Sequence, residues 1–220
     1  MINSCNRTYL SIFIKIKIKV RRISICIATT SIKQMHFNKI SHAIFCKKIN
    51  EIKYKEYIDE HRNNVQKAWD MVKNNNNCLK VICKFITSSS INRTIEFIDE
   101  LIEKHDLSKY KEEEFEPYRK NFFPVSEEEK ESNKEAFEEA WKHHYHKNLH
   151  HWDWWHETGN KENMPFTYIV EMVCDWIAMG FKFNNTAIEW YENNKDKIYL
   201  VKTPEKIKLY KTIYSNGKGS

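Results

Sequence analysis

The sequence predicts an all-α fold, and three observations carry that prediction. From about Tyr54 onward, apolar residues recur at spacings of three and four, the period of a helix with one buried face. Only 4 Gly and 4 Pro occur in 220 residues, too few to supply the turns of a β-sandwich or barrel. Aromatic residues make up 14% of the chain, enough to build a substantial core without a sheet. The expected architecture is a bundle of five to seven helices with a basic N-terminal extension.

Residues 1–50 stand apart as a basic extension, expected to be poorly ordered or peripheral. Within it, Ser11–Val20 alternates apolar residues with Lys15, Lys17 and Lys19, a period of two that suits a half-buried strand. Those lysines exclude a secretory hydrophobic core. Met35 offers an internal start. A first helix is expected near 54–74, where Ile58, His61, Val65, Ala68, Trp69 and Val72 share one face. The tract Asn74–Asn77 stops it. Cys78–Ile86 is apolar and ambiguous between helix and strand. A second helix, 91–104, shows the stripe Ile91, Ile95, Ile98, Leu101 and Ile102.

Helical character returns at 111–122, with Pro117 expected to mark a break or a new first turn. Ser126 followed by Glu129 reads as a capping box opening a long helix to about 147. Pro165 starts a helix over 165–181 that Gly180 is expected to end. Shorter helices near 184–195 and 204–214 close a domain spanning 51–215, with 216–220 as a tail.

Charge is distributed unevenly. Residues 1–56 hold 12 Lys and Arg against 2 Glu, a net of +10. The remainder holds 24 basic and 28 acidic residues, a net of −4. A nucleic-acid partner is therefore unlikely on sequence grounds, because the basic signature is confined to the extension. No run of about 18 apolar residues exists, so no membrane span is expected. The six cysteines form no CxxC pair, which argues for reduced thiols and a cytoplasmic setting.

Candidate chemistry concentrates in histidines and carboxylates. Six of the ten His lie between 143 and 156. Phe137, Ala140, Trp141 and His144 mark an inner stripe, which continues to His151 if the helix persists. A break near Asn148 would turn His150 inward instead. His143 and His146 fall toward an edge and can be solvated. His61 sits on the inner face of its helix, where a lone His is more often a satisfied core residue than a ligand. The pair His105-Asp106 follows the second helix. Asp175 interrupts an apolar helix, where an unpaired carboxylate is costly and calls for a cation or a metal. Glu171 lies one turn earlier on that face. Imidazole and carboxylate without thiolate suit a divalent Mn, Fe, Co or Zn, as one ion or two.

The ordered set His61, His105-Asp106, His144, His150 or His151, Asp175 on helices resembles the HD-domain superfamily of metal-dependent phosphohydrolases. The matching string is His105-Asp106-Leu107-Ser108-Lys109; many such proteins have His-Asp, two intervening residues, then Lys. The resemblance implies a first metal held by His61, His105, Asp106 and Asp175. It implies that Lys109 neutralises substrate phosphate. His144 and His150 or His151 resemble the second-metal ligands of the cyclic-dinucleotide phosphodiesterase branch, whose Gly-Tyr-Pro signature is absent here. Asp106 would bridge the two ions, and Glu171 would orient water or a ligand His.

A closer resemblance covers residues 54–212, to a family of unknown function frequent in bacteriophages and low-GC Gram-positive bacteria. It is carried by HDLSKYKEEEFEPYRKNFF, AWKHHYHKNLHHWDWW and MPFTYIVEMVCDWIAMGFKFNNTAIEWY. Leu149 stands where that family often has Pro, which leaves the local helix break open. Together the resemblances imply a phosphohydrolase acting on a nucleotide or related phosphoester. They leave two alternatives: an HD-type di-iron oxygenase, and a non-enzymatic phage-type interaction protein with a structural metal. Trp152, Trp154, Trp155 and Tyr168 are candidates for stacking a base, although core packing is the commoner role.

Overall fold

The structure, a computed structural model, describes residues 32–85, 91–160, 162–195 and 198. The strand-like stretch 11–20 and the helix expected at 204–214 lie outside them. The chain divides into two compact units, residues 1–49 and 50–220. All regular structure among the described residues is helical. There are nine α-helices and one 3-10 turn: α1 (Ile32–Lys73), α2 (Asn76–Phe85), α3 (Ile91–Lys104), the 3-10 turn (Leu107–Tyr110), α4 (Glu112–Phe122), α5 (Glu127–Glu131), α6 (Lys134–Lys147), α7 (Trp152–Glu157), α8 (Phe166–Phe183) and α9 (Ala187–Asn194). None of these helices is long and apolar enough to cross a membrane.

Several boundaries differ from the sequence reading, each for a local reason. The first helix begins at Ile32, not near Tyr54, because no Gly or Pro interrupts the intervening residues. Of the ambiguous stretch Cys78–Ile86, residues 78–85 are helix: α2 buries Cys78, Val81 and Ile82, a 3–4 spacing. Pro117 causes no break in α4. Its ring removes one N–H donor within a helix otherwise tied by ion pairs and packing. The long helix expected to 147 is split at Ser132-Asn133 into α5 and α6. Asn133 is buried and donates from Nδ2 to the Pro117 carbonyl (2.8 Å), so the interruption is fastened to α4. Ser126 does cap α5, accepting from the Glu129 N–H, but the Glu129 carboxylate accepts from Val125 N rather than closing the reciprocal box. These splits, together with α2 and α7, raise the helix number above five to seven.

Gly180 does not end α8. The helix runs three residues further and stops at Asn184, which adopts a left-handed conformation (φ 54°). Gly180 serves a different purpose: a Cβ there would lie 2.6 Å from the Asn185 carbonyl oxygen. Its missing side chain lets the chain fold back tightly, with Asn185 N donating to Gly180 O.

Two apolar clusters organise the second unit. The larger takes Val65, Trp69 and Val72 from α1, Ile98 and Ile102 from α3, and most of α8. The smaller joins Tyr54 and Ile58 of α1 to Tyr118 of α4 and Ala140 of α6, with Phe115, Phe137 and Trp141 packed on it. On α1, His61 lies between Ile58 of one cluster and Val65 of the other. The His-rich region therefore sits at the seam between the two cores.

Arg119 fixes α4, which carries several residues of that seam. It is fully buried, donates to both oxygens of Glu129 (2.7 and 3.2 Å) and caps Phe123 O (3.1 Å). Replacing Arg119 with Ala should cost about 3 kcal/mol, since it strands a largely buried carboxylate and a carbonyl. A thermal melt of the variant should show a clear drop in midpoint; an unchanged midpoint would mean the pair is structurally idle.

Candidate metal centre

Asp106 is the centre of the constellation. It follows α3 in a left-handed conformation (φ 57°), which costs an Asp roughly 1 kcal/mol, and it is 1% exposed. The turn is held from outside by Arg62, whose guanidinium donates to the carbonyls of His105 (2.9 Å) and Glu103 (2.6 Å). From this position the carboxylate presents its two oxygens to two different groups of side chains.

On the Oδ2 side are His61 Nε2 at 3.4 Å, His105 Nε2 at 3.6 Å and Lys109 Nζ at 2.6 Å. His61 Nε2 is also 3.1 Å from Asp175 Oδ1 and 3.3 Å from His105 Nε2, while His105 Nε2 lies 3.9 Å from Asp175 Oδ1. With ligand bonds of about 2.1 Å, two donors on one ion sit roughly 3.0 to 3.5 Å apart. His61, His105, Asp106 and Asp175 are thus arranged as a ligand set that closes around one ion with small adjustments.

On the Oδ1 side, His144 Nε2 approaches to 3.2 Å and His150 Nε2 to 3.8 Å, and His151 completes a group that could hold a metal. Asp106 Oδ1 and the Nε2 atoms of His144, His150 and His151 are all buried without a hydrogen-bond partner. Four orphaned donor atoms converging on one point are costly unless something binds them. A divalent cation satisfies all four at once, so the residues fit a metal here on their own chemistry. The structure brings both His150 and His151 to this group. α6 ends at Lys147, and Asn148 caps it in extended conformation, donating from Nδ2 to the His144 carbonyl and to Ser108 Oγ. That break, made by Asn148 with Leu149 beside it and no Pro, turns His150 inward while leaving His151 at the site.

Outer carboxylates orient the rings. Glu171 Oε1 accepts from His105 Nδ1 (3.0 Å) and lies 3.1 Å from His150 Nδ1. Glu114 accepts from His144 Nδ1 (2.8 Å), His143 Nδ1 (2.7 Å) and Ser108 Oγ (2.9 Å). Holding Nδ1–H on a carboxylate leaves Nε2 as the free lone pair and strengthens it as a ligand. Glu171 is thereby placed against the His105 and His150 rings and is not among the residues that line the cavity described below. Glu114 is fully buried and was missed in the sequence, because the run Glu112-Glu113-Glu114 looks like a solvated first turn. Its signal was the i+4 relation to Tyr118, another buried residue. His146 points outward to Glu157, as its edge position suggested.

Charge states follow the same logic. Burial opposes ionisation of Asp106, but Lys109, His105 and His144 hold its carboxyl well below the usual range. Asp175 is likewise brought down, to about 2, because His61 outweighs its burial. Burial would lower His61, yet its hydrogen bonding to the Asp106 and Asp175 carboxylates carries it up to about 9. Burial and its His neighbours push His151 well down, toward the neutral ring a metal requires. The site is a concentration of fixed negative charge and imidazole that attracts cations. Cys174, although next to Asp175, is buried in the core with its thiol pushed up by burial, and takes no part.

A cavity of about 310 Å³ opens onto His61, Asp106, Lys109, His151 and Asp175. Its other walls are largely aromatic, including Tyr57, Phe137, Trp141, Trp152 and Trp176. Of the candidate stacking residues only Trp152 lines it. Trp155 is buried with Nε1 donating to Leu149 O (2.8 Å), and Trp154 and Tyr168 pack on the core.

Elemental analysis of protein loaded with Mn²⁺ or Fe²⁺ should find two ions per chain, and the loaded form should melt higher than the chelated one. Asp106→Ala should hold neither ion. Glu114→Ala should weaken one ion by about 10- to 100-fold and spare the other. Two ions retained in Asp106→Ala would refute the shared-ligand arrangement.

No curated protein and no solved structure matches the chain. One family model does match, over residues 50–214, which takes in every residue of the candidate centre. The chain belongs to the family of unknown function DUF5662.

Proposed function

We propose that the chain is a dinuclear metal-dependent phosphohydrolase acting on a nucleotide or related phosphoester. The observation that carries this reading is the Asp106 carboxylate, with one oxygen facing His61, His105 and Asp175 and the other facing His144, His150 and His151. Its resemblance to HD-domain phosphohydrolases rests on that ligand order and on Lys109, three residues after Asp106. A pair of divalent ions at such a site polarises a phosphoryl oxygen and makes water a usable nucleophile near neutral pH.

The chain's own groups would do the rest. His61, His105 and Asp175 fix one side of the bridge, and Glu171 and Glu114 keep the ring nitrogens aimed. Lys109, at the cavity wall and paired to Asp106 Oδ2, is placed to offset negative charge that develops on the phosphoryl group. The aromatic walls exclude water and offer flat apolar surface to the alcohol or base portion. We place the protein in the cytoplasm on this reading; the described cysteines Cys46, Cys78, Cys83 and Cys174 form no disulfide with one another.

A panel of nucleoside mono-, di- and triphosphates and phosphodiesters, tested with Mn²⁺, Co²⁺ or Fe²⁺, checks the reading. Phosphate release is expected for at least one member, lost in Asp106→Ala and reduced about 100-fold in kcat in Lys109→Ala. The aromatic cavity beside a His-carboxylate pair of sites also suits an HD-type di-iron oxygenase. Oxygen consumption by the iron-loaded protein with no phosphate release would replace the first reading with that one. Failure of both, with metal tightly held, would leave the metal structural and the protein an interaction module.

A further inference from the structure

Two hydroxyls on residues that line the cavity are unexplained by the ligand sets. Tyr54, on α1, is fully buried, and Tyr118, on α4, is 4% exposed. Both phenolic oxygens lack a hydrogen-bond partner among the described residues. Both residues line the cavity alongside Asp106 and Lys109. An unpartnered buried hydroxyl destabilises a fold, and Phe would pack the same ring without that penalty. Two such groups lining one cavity, together with the one lysine among its lining residues, are positioned for something that enters it.

The chemistry of the entrant follows from the donors. Burial pushes both phenols up, and the nearby carboxylates of Asp106 and Glu114 push them further, so each remains an O–H donor. Lys109 Nζ lies 5.7 Å from the Tyr118 ring centroid and is itself cationic beside Asp106. Three donors around one space suit a group with several acceptor oxygens. A single phosphoryl group has three non-bridging oxygens, a compact match. With one lysine among the cavity's lining residues, a polyphosphate chain would find few cations beyond the bound ions.

We propose that the Tyr54 and Tyr118 hydroxyls, with Lys109, form the oxyanion-binding subsite that holds the phosphoryl group of a phosphomonoester whose aromatic or nucleoside portion lies along the cavity's ring-lined wall. This deepens the phosphohydrolase reading and rests on it for the identity of the ester, but the subsite itself is testable without turnover.

The test uses the full-length chain loaded with Mn²⁺, as wild type, Tyr54→Phe and Tyr118→Phe. Inorganic phosphate is the probe, its affinity measured by calorimetry, alongside metal content and melting temperature. Each Phe variant should keep both ions, melt at or above the wild-type temperature, and bind phosphate about 10-fold or more weakly, the loss expected for a hydrogen bond to a charged acceptor. A purely structural hydroxyl would instead lower the melting temperature and leave phosphate affinity alone. Unchanged affinity in either variant, loss of metal in either, or no phosphate binding by the wild type overturns the proposal. Tyrosine-dependent phosphate binding in a protein that cleaves no member of the ester panel would sustain the subsite and remove the hydrolase reading.

Discussion

A buried carboxylate that faces two ways sets the terms for the rest of this molecule. Asp106 sits in a left-handed turn and is 1% exposed, so its charge is largely withdrawn from bulk solvent. Such a group is tolerable only if cations surround it. Lys109 satisfies one oxygen at 2.6 Å. The other is met by an imidazole at 3.2 Å without a hydrogen bond, an arrangement that makes sense as a ligand shell and poor sense as a packed core. The strained backbone, the Arg62 clamp on the adjoining carbonyls and the orphaned ring nitrogens all follow from keeping that carboxylate where it is.

The fold serves this purpose by placing the site between two cores rather than inside one. α1 and α8 deliver His61, Glu171 and Asp175 from elements anchored in the larger cluster, while α4 and α6 deliver Glu114 and His144 from the smaller. Ligands on rigid helices are held more firmly than ligands on loops, and the outer carboxylates Glu114 and Glu171 lock ring orientation. Four residues of the constellation sit between helices: the turn of His105 and Asp106 is held by Arg62, and His150 and His151 are held by the Asn148 cap and by the Trp155–Leu149 hydrogen bond.

Much of this was legible in the sequence. Helical spacing identified α3 and α8, and the inner phase of His61, His144 and Asp175 follows from the same period. Other features depend on contacts between distant segments, which periodicity does not encode. The split at Ser132-Asn133 exists because Asn133 reaches a carbonyl on α4. Glu114 hides in an acidic run, and only its burial against His143, His144 and Ser108 separates it from its neighbours. Whether His150 faces inward turned on whether α6 survives Asn148; the Asn148 cap ends the helix and brings both His150 and His151 to the group. Gly180 reads as a helix end, but its role is to admit the Asn185 backbone. The Tyr54 and Tyr118 hydroxyls carry no sequence signal, since buried tyrosines at such positions usually serve as core.

The central claim is that one carboxylate joins two ions. Anomalous diffraction from crystals of the Mn²⁺-loaded protein addresses it most directly. The account predicts two anomalous peaks about 3.5 to 4 Å apart. One should be bound by Asp106 Oδ2 with His61, His105 and Asp175, the other by Asp106 Oδ1 with His144, His150 and His151. A single peak, or peaks beyond bonding distance of Asp106, would contradict it.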